Sequence, residues 1–159
     1  MSKLGVGVVG VGEMGKRHAE NLARFVPKAR LVAIADPDLE RARSVARELE
    51  IERYYSTVED LVAHKDVQAV VIVSPAKFHP QGVKVAAAAG KDILCEKPLA
   101  LTLEEADAAR THPLRTPSRA GNSSADWECE DEFNRTGGRQ TCHCWRQVRP
   151  GADAADEAL

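Results

Sequence analysis

Aromatic residues make up only 4% of this 159-residue sequence, and basic charge is in no excess. The 22 Lys plus Arg stand against 24 Asp plus Glu, for a formal charge of -2 and a pI near 6.2. A chain without a global positive field has nothing to gather nucleic acid or an anionic membrane. Long apolar runs are absent too: nothing approaches the ~18 consecutive apolar residues of a membrane helix. The N-terminus passes from Met1-Ser2-Lys3 directly into an alternating apolar segment, where a signal peptide would have its apolar core. Four cysteines are too few for a disulfide scaffold at this length. Cys95, alone in an apolar run, reads as a reduced, buried thiol. The expected compartment is therefore the cytoplasm, with neither nucleic acid nor membrane as partner. The 43% hydrophobic and 29% charged residues that are present suit one ordinary domain, and the length leaves little room for a second.

Composition changes abruptly near residue 110. Residues 1–110 hold 15 Val, 4 Ile, 8 Lys and no Trp, whereas residues 111–159 hold 1 Val, no Ile, no Lys, both Trp and three of the four Cys. The large aliphatic or Phe side chains of the second part are only Leu114, Phe133, Val148 and Leu159, too few to offset the ordering entropy of a packed domain. Pro113, Pro117, Gly121, Gly137, Gly138, Pro150 and Gly151 punctuate it without a sustained period. An irregular, disordered tail is the expectation there.

In the first part, strands and helices alternate with short connections. Leu4 to Val9 is a short apolar strand, followed by a Gly-rich turn from Gly10 to Gly15 and a helix through Phe25, halted before Pro27. A second strand, Ala29 to Ala35, ends at Asp36-Pro37. Asp38 can cap a helix from Leu39 to about Leu49, where Leu39, Ala42, Val45, Ala46 and Leu49 follow helical spacing. A weak strand at Arg53 to Tyr55 and a short Thr57-capped helix to about His64 come next. Val67 to Val73, with four Val and one Ile, has the composition of a strand buried on both faces. A helix from about His79 to Ala89 stops at Gly90, and Asp92 to Cys95 is the fifth strand. Thr102 and Glu105 make a capping box for a last helix, cut off at Thr111-His112-Pro113. Five strands alternating with helices imply an α/β fold: a parallel sheet wound on both faces.

Gly10-Val11-Gly12-Glu13-Met14-Gly15 spells GxGxxG directly after a strand and directly before a helix. In that position the first glycine permits the tight turn and the second lets backbone approach a pyrophosphate. The third lets helix pack on strand, and the helix N-terminus offers free N–H groups at its positive dipole end. An acid at the end of the second strand, Asp36, lies 21 residues after Gly15, placed to accept the adenosine ribose hydroxyls. Like charge would repel a 2'-phosphate at a cost of several kcal/mol, which favours NAD over NADP. Arg41 and Arg43 on the next helix are the groups that could offset this. The competing reading is a compact glycine turn with Asp36 only starting an Asp-Pro turn.

Three segments carry a family resemblance: GVGVVGVGEMGKRHAENL at 5–22, VIVSPAKFH at 71–79 and AGKDILCEKPLALTLEEA at 89–106. They resemble the N-terminal half of the Gfo/Idh/MocA oxidoreductases, the glucose-fructose oxidoreductase and inositol dehydrogenase group, in order and spacing over about residues 3–110. The wording is closest to the inositol 2-dehydrogenase-like members. The resemblance implies a Rossmann domain for NAD(P), then an α/β domain that builds the substrate pocket and usually the homo-oligomer interface. Gly10, Gly12, Glu13 and Gly15 match the cofactor turn, with Met14 beside the phosphates, and Asp36 matches the ribose acid. Ser74, Pro75 and His79 match a loop bordering the nicotinamide end. Glu96, Lys97 and Pro98 match an EKP motif whose lysine contacts cofactor and substrate and assists proton transfer, the one catalytic assignment.

The residues agree by position. Ser74 and Glu96-Lys97 sit at the carboxyl ends of the fourth and fifth strands, where an open α/β sheet binds ligands. A lysine there can hydrogen-bond a reacting hydroxyl and lower its pKa. Against this stand a solvated Lys97 paired with Glu96 and a His79 that merely caps or packs. The family's DxxxH motif belongs to the second domain, which this chain is expected to stop short of. Asp60 to His64 spells DxxxH by coincidence and reads as a solvated i,i+4 helix pair. Cys129, Cys142, His143 and Cys144 do not form a standard zinc framework, so no metal site is expected.

The resulting expectation is the cofactor half of an enzyme that moves hydride between a sugar or cyclitol secondary alcohol and nicotinamide, inactive alone for want of the substrate wall. The alternative is a stand-alone dinucleotide-binding module that senses redox state or binds a partner. Because nothing after Thr111 matches the family, residues 111–159 read as the product of a shifted frame. Translating the source DNA in the other two frames is expected to restore a family-like continuation past Arg110; finding none in either frame would make the tail native.

Overall fold

The computed structural model describes residues 2–109 with their side chains and the backbone of residues 110, 127–132 and 141–146. Its elements in chain order are β1 (Leu4–Val9), α1 (Glu13–Arg24), β2 (Ala29–Ala35), α2 (Leu39–Glu48), β3 (Arg53–Tyr55), α3 (Val58–Ala63) and β4 (Ala69–Ile72). A 3-10 turn (Ala76–Phe78) leads into α4 (His79–Ala88), followed by β5 (Asp92–Cys95), α5 (Leu103–Arg110), β6 (Trp127–Glu132) and β7 (Thr141–Arg146). The local chemistry that starts and stops these elements is as read from the sequence. Asp38 accepts the Arg41 N–H at 3.1 Å and Thr57 the Asp60 N–H at 3.2 Å, so both cap the helices they precede. Thr102 accepts the Glu105 N–H at 3.2 Å, and Glu105 reaches back to the Leu101 N–H at 3.3 Å. Gly90 takes φ +68°, the left-handed conformation that ends α4.

Strand order is β3-β2-β1-β4-β5, all parallel, continued by β7 and β6. Because the chain winds outward from β1 to β3 and then returns to β4 on the other side of β1, the switch point lies between β1 and β4. A crevice opens there at the carboxyl ends of the strands. Side chains alternate across the sheet. Val70 and Ile72 join Leu61, Val83, Ala86 and Ala87 in the core beneath α3 and α4. Val71 joins Val6, Val8, Ile34 and Val45 in the core beneath α1 and α2. Cys95 is fully buried, its thiol donating to the Glu96 carbonyl at 3.5 Å.

The described residues bear on two further expectations. Within the span expected to be irregular, β6 and β7 pair antiparallel, and β7 lies against β5 through Ile93↔Arg146 to Cys95↔Cys144. Thr141 to Arg146 contains the β-favouring Thr141 and Trp145, a local preference that the surrounding Gly and Pro obscured. The rest of residues 111–159, and the side chains of Cys129, Cys142, His143 and Cys144, lie outside the described residues. Asp60 and His64 also make no pair with each other. Asp60 accepts the Thr57 hydroxyl at 2.6 Å, while His64 Nδ1 accepts the Asp66 N–H at 3.2 Å, because His64 already caps the end of α3.

Gly15 shows how closely α1 approaches the sheet: a Cβ built there would stand 1.7 Å from the Gly10 carbonyl oxygen. Backbone is the obstacle, so the helix itself would have to move. Gly15→Ala is expected to destabilise the fold by about 3 kcal/mol, as overpacked cores do, measured by urea denaturation. An unchanged midpoint would show that the helix is not seated this way.

Candidate functional site

The site begins at the end of β1, where Gly10 adopts φ +83° and turns the chain into α1. At this point the backbones nearly touch: a Cβ on Gly10 would lie 2.7 Å from the Ser74 nitrogen, on the loop leaving β4. Gly12 is different, with nothing within 4 Å of an added Cβ. It is the N-cap of α1 and makes no side-chain cap, so the first-turn N–H groups of that helix face an open space.

That space is a cavity of about 660 Å³, a size that accommodates a small-molecule cofactor. The Gly-rich turn and Asp36 line its centre, Ser56 to Glu59 one side, and Ser74, Pro75, Phe78 and Gln81 the other. Asp36 is only 5% exposed. Its Oδ2 accepts the Val11 N–H at 2.9 Å and its Oδ1 the Asp38 N–H at 2.9 Å, two bonds that offset the cost of burying a carboxylate. A carboxylate has further acceptor directions beyond these two. Arg41 Nη2 stands 3.4 Å from Asp36 and 3.2 Å from Asp38, so two acids already claim this cavity-lining guanidinium. Arg43 pairs with Glu40 at 3.8 Å and does not line the cavity. On α1, Lys16 is held by Glu48 at 2.7 Å, and that hydrogen bond raises its pKa above the ordinary lysine value.

Of the residues singled out in the sequence, Gly10, Gly12, Glu13, Met14, Gly15, Asp36, Ser74 and Pro75 all line this one cavity. His79, Glu96 and Lys97 do not. His79 is 2% exposed and lies behind the wall, with Nδ1 2.8 Å from the Pro98 carbonyl oxygen and Nε2 2.5 Å from that of Ser74. The contacts His79 makes in the structure are thus with the backbone of the Ser74 and Pro98 loops. Glu96 and Lys97 sit beyond β4, on the loop leaving β5, and the Lys97–Pro98 peptide is cis. Glu96 directs its carboxylate to His18 Nε2 at 2.9 Å and to the Lys97 backbone N–H at 3.2 Å. Sequence reasoning passed over His18, Phe78, Gln81 and Ser56 to Glu59. Ser56 to Glu59 and Phe78 follow a strand end within six residues, a weak local signal, whereas His18 and Gln81 lie nine residues beyond one and carry none. Among the described residues no cluster of three metal-ligating side chains occurs and no helix is long and apolar enough to cross a membrane.

Comparison with known proteins gives the same site a context. The GFO_IDH_MocA model, an oxidoreductase family with an NAD-binding Rossmann fold, matches residues 4–113. The scyllo-inositol 2-dehydrogenase (NAD(+)) of Bacillus subtilis is 44% identical over 102 residues, covering 64% of this chain and 30% of its own length. The inositol 2-dehydrogenase of Rubrobacter xylanophilus is 48% identical over 108 residues, covering 68% and 30%. Among solved structures, the scyllo-inositol dehydrogenase of Lactobacillus casei with bound NAD(H) and scyllo-inositol superposes with a TM-score of 0.66 at 35% identity. It covers 69% of this chain and 32% of its own. The chain thus spans about 30% of the length of the curated relatives it matches.

Because Gly12 has open space around its Cα, a bulky side chain there would obstruct a ligand without disturbing the fold. Gly12→Val is expected to keep the unfolding free energy in urea titration within about 1 kcal/mol of the parent and to abolish NADH binding by calorimetry. Undiminished binding by Gly12→Val would show that the phosphates do not lie over this turn.

Proposed function

The chain belongs to the Gfo/Idh/MocA oxidoreductase family, and on that premise we propose that it is the NAD-binding half of a dehydrogenase. The substrate class is a cyclitol or sugar bearing a secondary alcohol, inositol-like above all. One observation carries the cofactor assignment: a buried, backbone-anchored Asp36 beside an unobstructed Gly12, both opening on one cavity. NAD when bound supplies the nicotinamide that accepts hydride.

The residues of this chain divide the remaining work. First-turn N–H groups of α1 hold the pyrophosphate, and Asp36 accepts hydrogen bonds from the adenosine ribose. Ser74 and Pro75 border the nicotinamide end, on the β4 side of the switch point. Lys97 holds the reacting hydroxyl through its ammonium and favours loss of the hydroxyl proton. Glu96 supports that lysine from the same loop. The inositol-like substrate class rests on the two inositol 2-dehydrogenases and on the Lactobacillus casei structure. The cytoplasm is the compartment that suits a nicotinamide enzyme with a buried thiol at Cys95.

Asp36 argues for NAD over NADP, since its charge meets a 2'-phosphate directly and Arg41 is already shared between two acids. In calorimetric titration NADH is expected to bind at least tenfold more tightly than NADPH, and Asp36→Ala is expected to narrow that gap. Equal affinity in the parent, or a preference for NADPH, would contradict the assignment. Grafting residues 3–110 onto the substrate domain of the Rubrobacter xylanophilus relative is expected to give inositol-dependent NAD+ reduction followed at 340 nm. A chimera that is folded, binds NADH and reduces no NAD+ with any inositol would count against the substrate class.

A further inference from the structure

Lys97 is exposed, and among the described residues its ammonium has no ion-pair partner. The chain on either side of it is held by a histidine. On one side Glu96, its side chain only 13% exposed, has Oε1 2.9 Å from Nε2 of His18 on α1. Its Oε2 accepts the Lys97 backbone N–H at 3.2 Å. On the other side the Pro98 carbonyl oxygen lies 2.8 Å from Nδ1 of His79, the first residue of α4. Nε2 of that same buried ring reaches the Ser74 carbonyl oxygen.

We propose that His18 and His79 are positioning residues that clamp the Lys97 loop and register it against the nicotinamide end of the cofactor site. The inference rests on the dinucleotide reading above. Its physical basis is that each histidine joins the loop to an element that already contacts the cofactor. His18 belongs to the helix whose N-terminus faces the phosphates, and His79 ties Pro98 to Ser74, a residue of the cavity wall. Both neighbours of the His79 ring nitrogens are carbonyl oxygens, so the ring N–H donates to Pro98 or to Ser74 according to the tautomer while the buried ring stays packed between the two backbone segments. A flexible four-carbon lysine on a fixed backbone is restricted to a small region, the condition for a productive contact with a reacting group. In the strand order β2-β1-β4-β5, Asp36 lies on one side of the switch point, and the clamped loop on the other. The clamp therefore acts on the nicotinamide half and not on the adenosine half.

That asymmetry gives a readout that a merely structural role would not produce. The full chain is titrated with NADH and with ADP-ribose, which lacks only the nicotinamide ring, for the parent, His18→Ala and His79→Gln, with circular dichroism as a check of folding. The parent is expected to bind NADH more tightly than ADP-ribose. Each variant is expected to bind ADP-ribose within twofold of the parent and NADH at least fivefold more weakly. Should His79→Gln fail to fold, the partly exposed His18→Ala decides by the same criterion. Parallel loss of both ligands in folded variants, no loss of either, or equal affinity of the parent for both would overturn the clamp and leave the dinucleotide reading standing. A folded parent that binds neither ligand would overturn both.

Discussion

The Asp36 carboxylate, at the end of β2, accepts one backbone N–H from Val11 and one from Asp38, and so stitches the turn after β1 to the turn after β2. It is 5% exposed, and a buried carboxylate persists only when its lone pairs are met. Here they are met by the same backbone that shapes the cavity, so the acid is at once the anchor of the Gly-rich turn and a wall of the site. Removing it would leave two N–H groups in a largely buried setting without an acceptor. The rest of the geometry depends on this tie. Gly10 can then turn within contact distance of Ser74, Gly15 can lie on the Gly10 carbonyl, and α1 can direct its free N–H groups into the crevice between β1 and β4.

Much of this was legible in the sequence, for physical reasons that differ from one element to the next. The central strands announce themselves because strands buried on both faces must be almost wholly apolar, as Val70-Val71-Ile72 is, whereas the half-exposed Arg53-Tyr54-Tyr55 of β3 is only a weak signal. The helices announce themselves through caps that act over three or four residues: Asp38, Thr57 and the Thr102–Glu105 pair. The Gly-rich turn and Asp36 are legible because their roles are backbone roles, tied to strand ends. What the sequence did not reveal is non-local. His18 and Glu96 meet across 78 positions, and no periodicity connects them. Ser56 to Glu59 and Phe78 enter the cavity wall only because β3 and β4 end at the same edge of the sheet. His79 was singled out, but its burial behind the wall depends on the path of the Pro98 backbone, which is set by tertiary packing. The β6–β7 pair escaped because its short β-favouring stretches sit among Gly, Pro and polar residues.

The site separates into two functions joined through the backbone. Over β1 and β2, backbone N–H groups and a backbone-anchored carboxylate offer the donors and acceptors that suit an anionic, ribose-bearing ligand. Over β4 and β5, a lysine is presented on a loop whose two neighbouring residues are each held from a different helix. This division follows from the topological switch point, which places the two halves of a dinucleotide over strands that lead in opposite directions across the sheet. It also accounts for how a segment spanning about 30% of its curated relatives carries the whole lining of the cavity proposed for the cofactor. Every residue lining that cavity comes from the first five strands and their connections.

The central claim is that this cavity is where the nicotinamide cofactor binds, and amide-resolved NMR of the 15N-labelled chain titrated with NADH tests it most directly. Saturable shifts concentrated at residues 11–15, 36–38 and 73–75, with small changes at the opposite ends of the strands, are the predicted result. Saturable shifts centred elsewhere on the sheet, or no shifts from a folded chain at millimolar NADH, would contradict it.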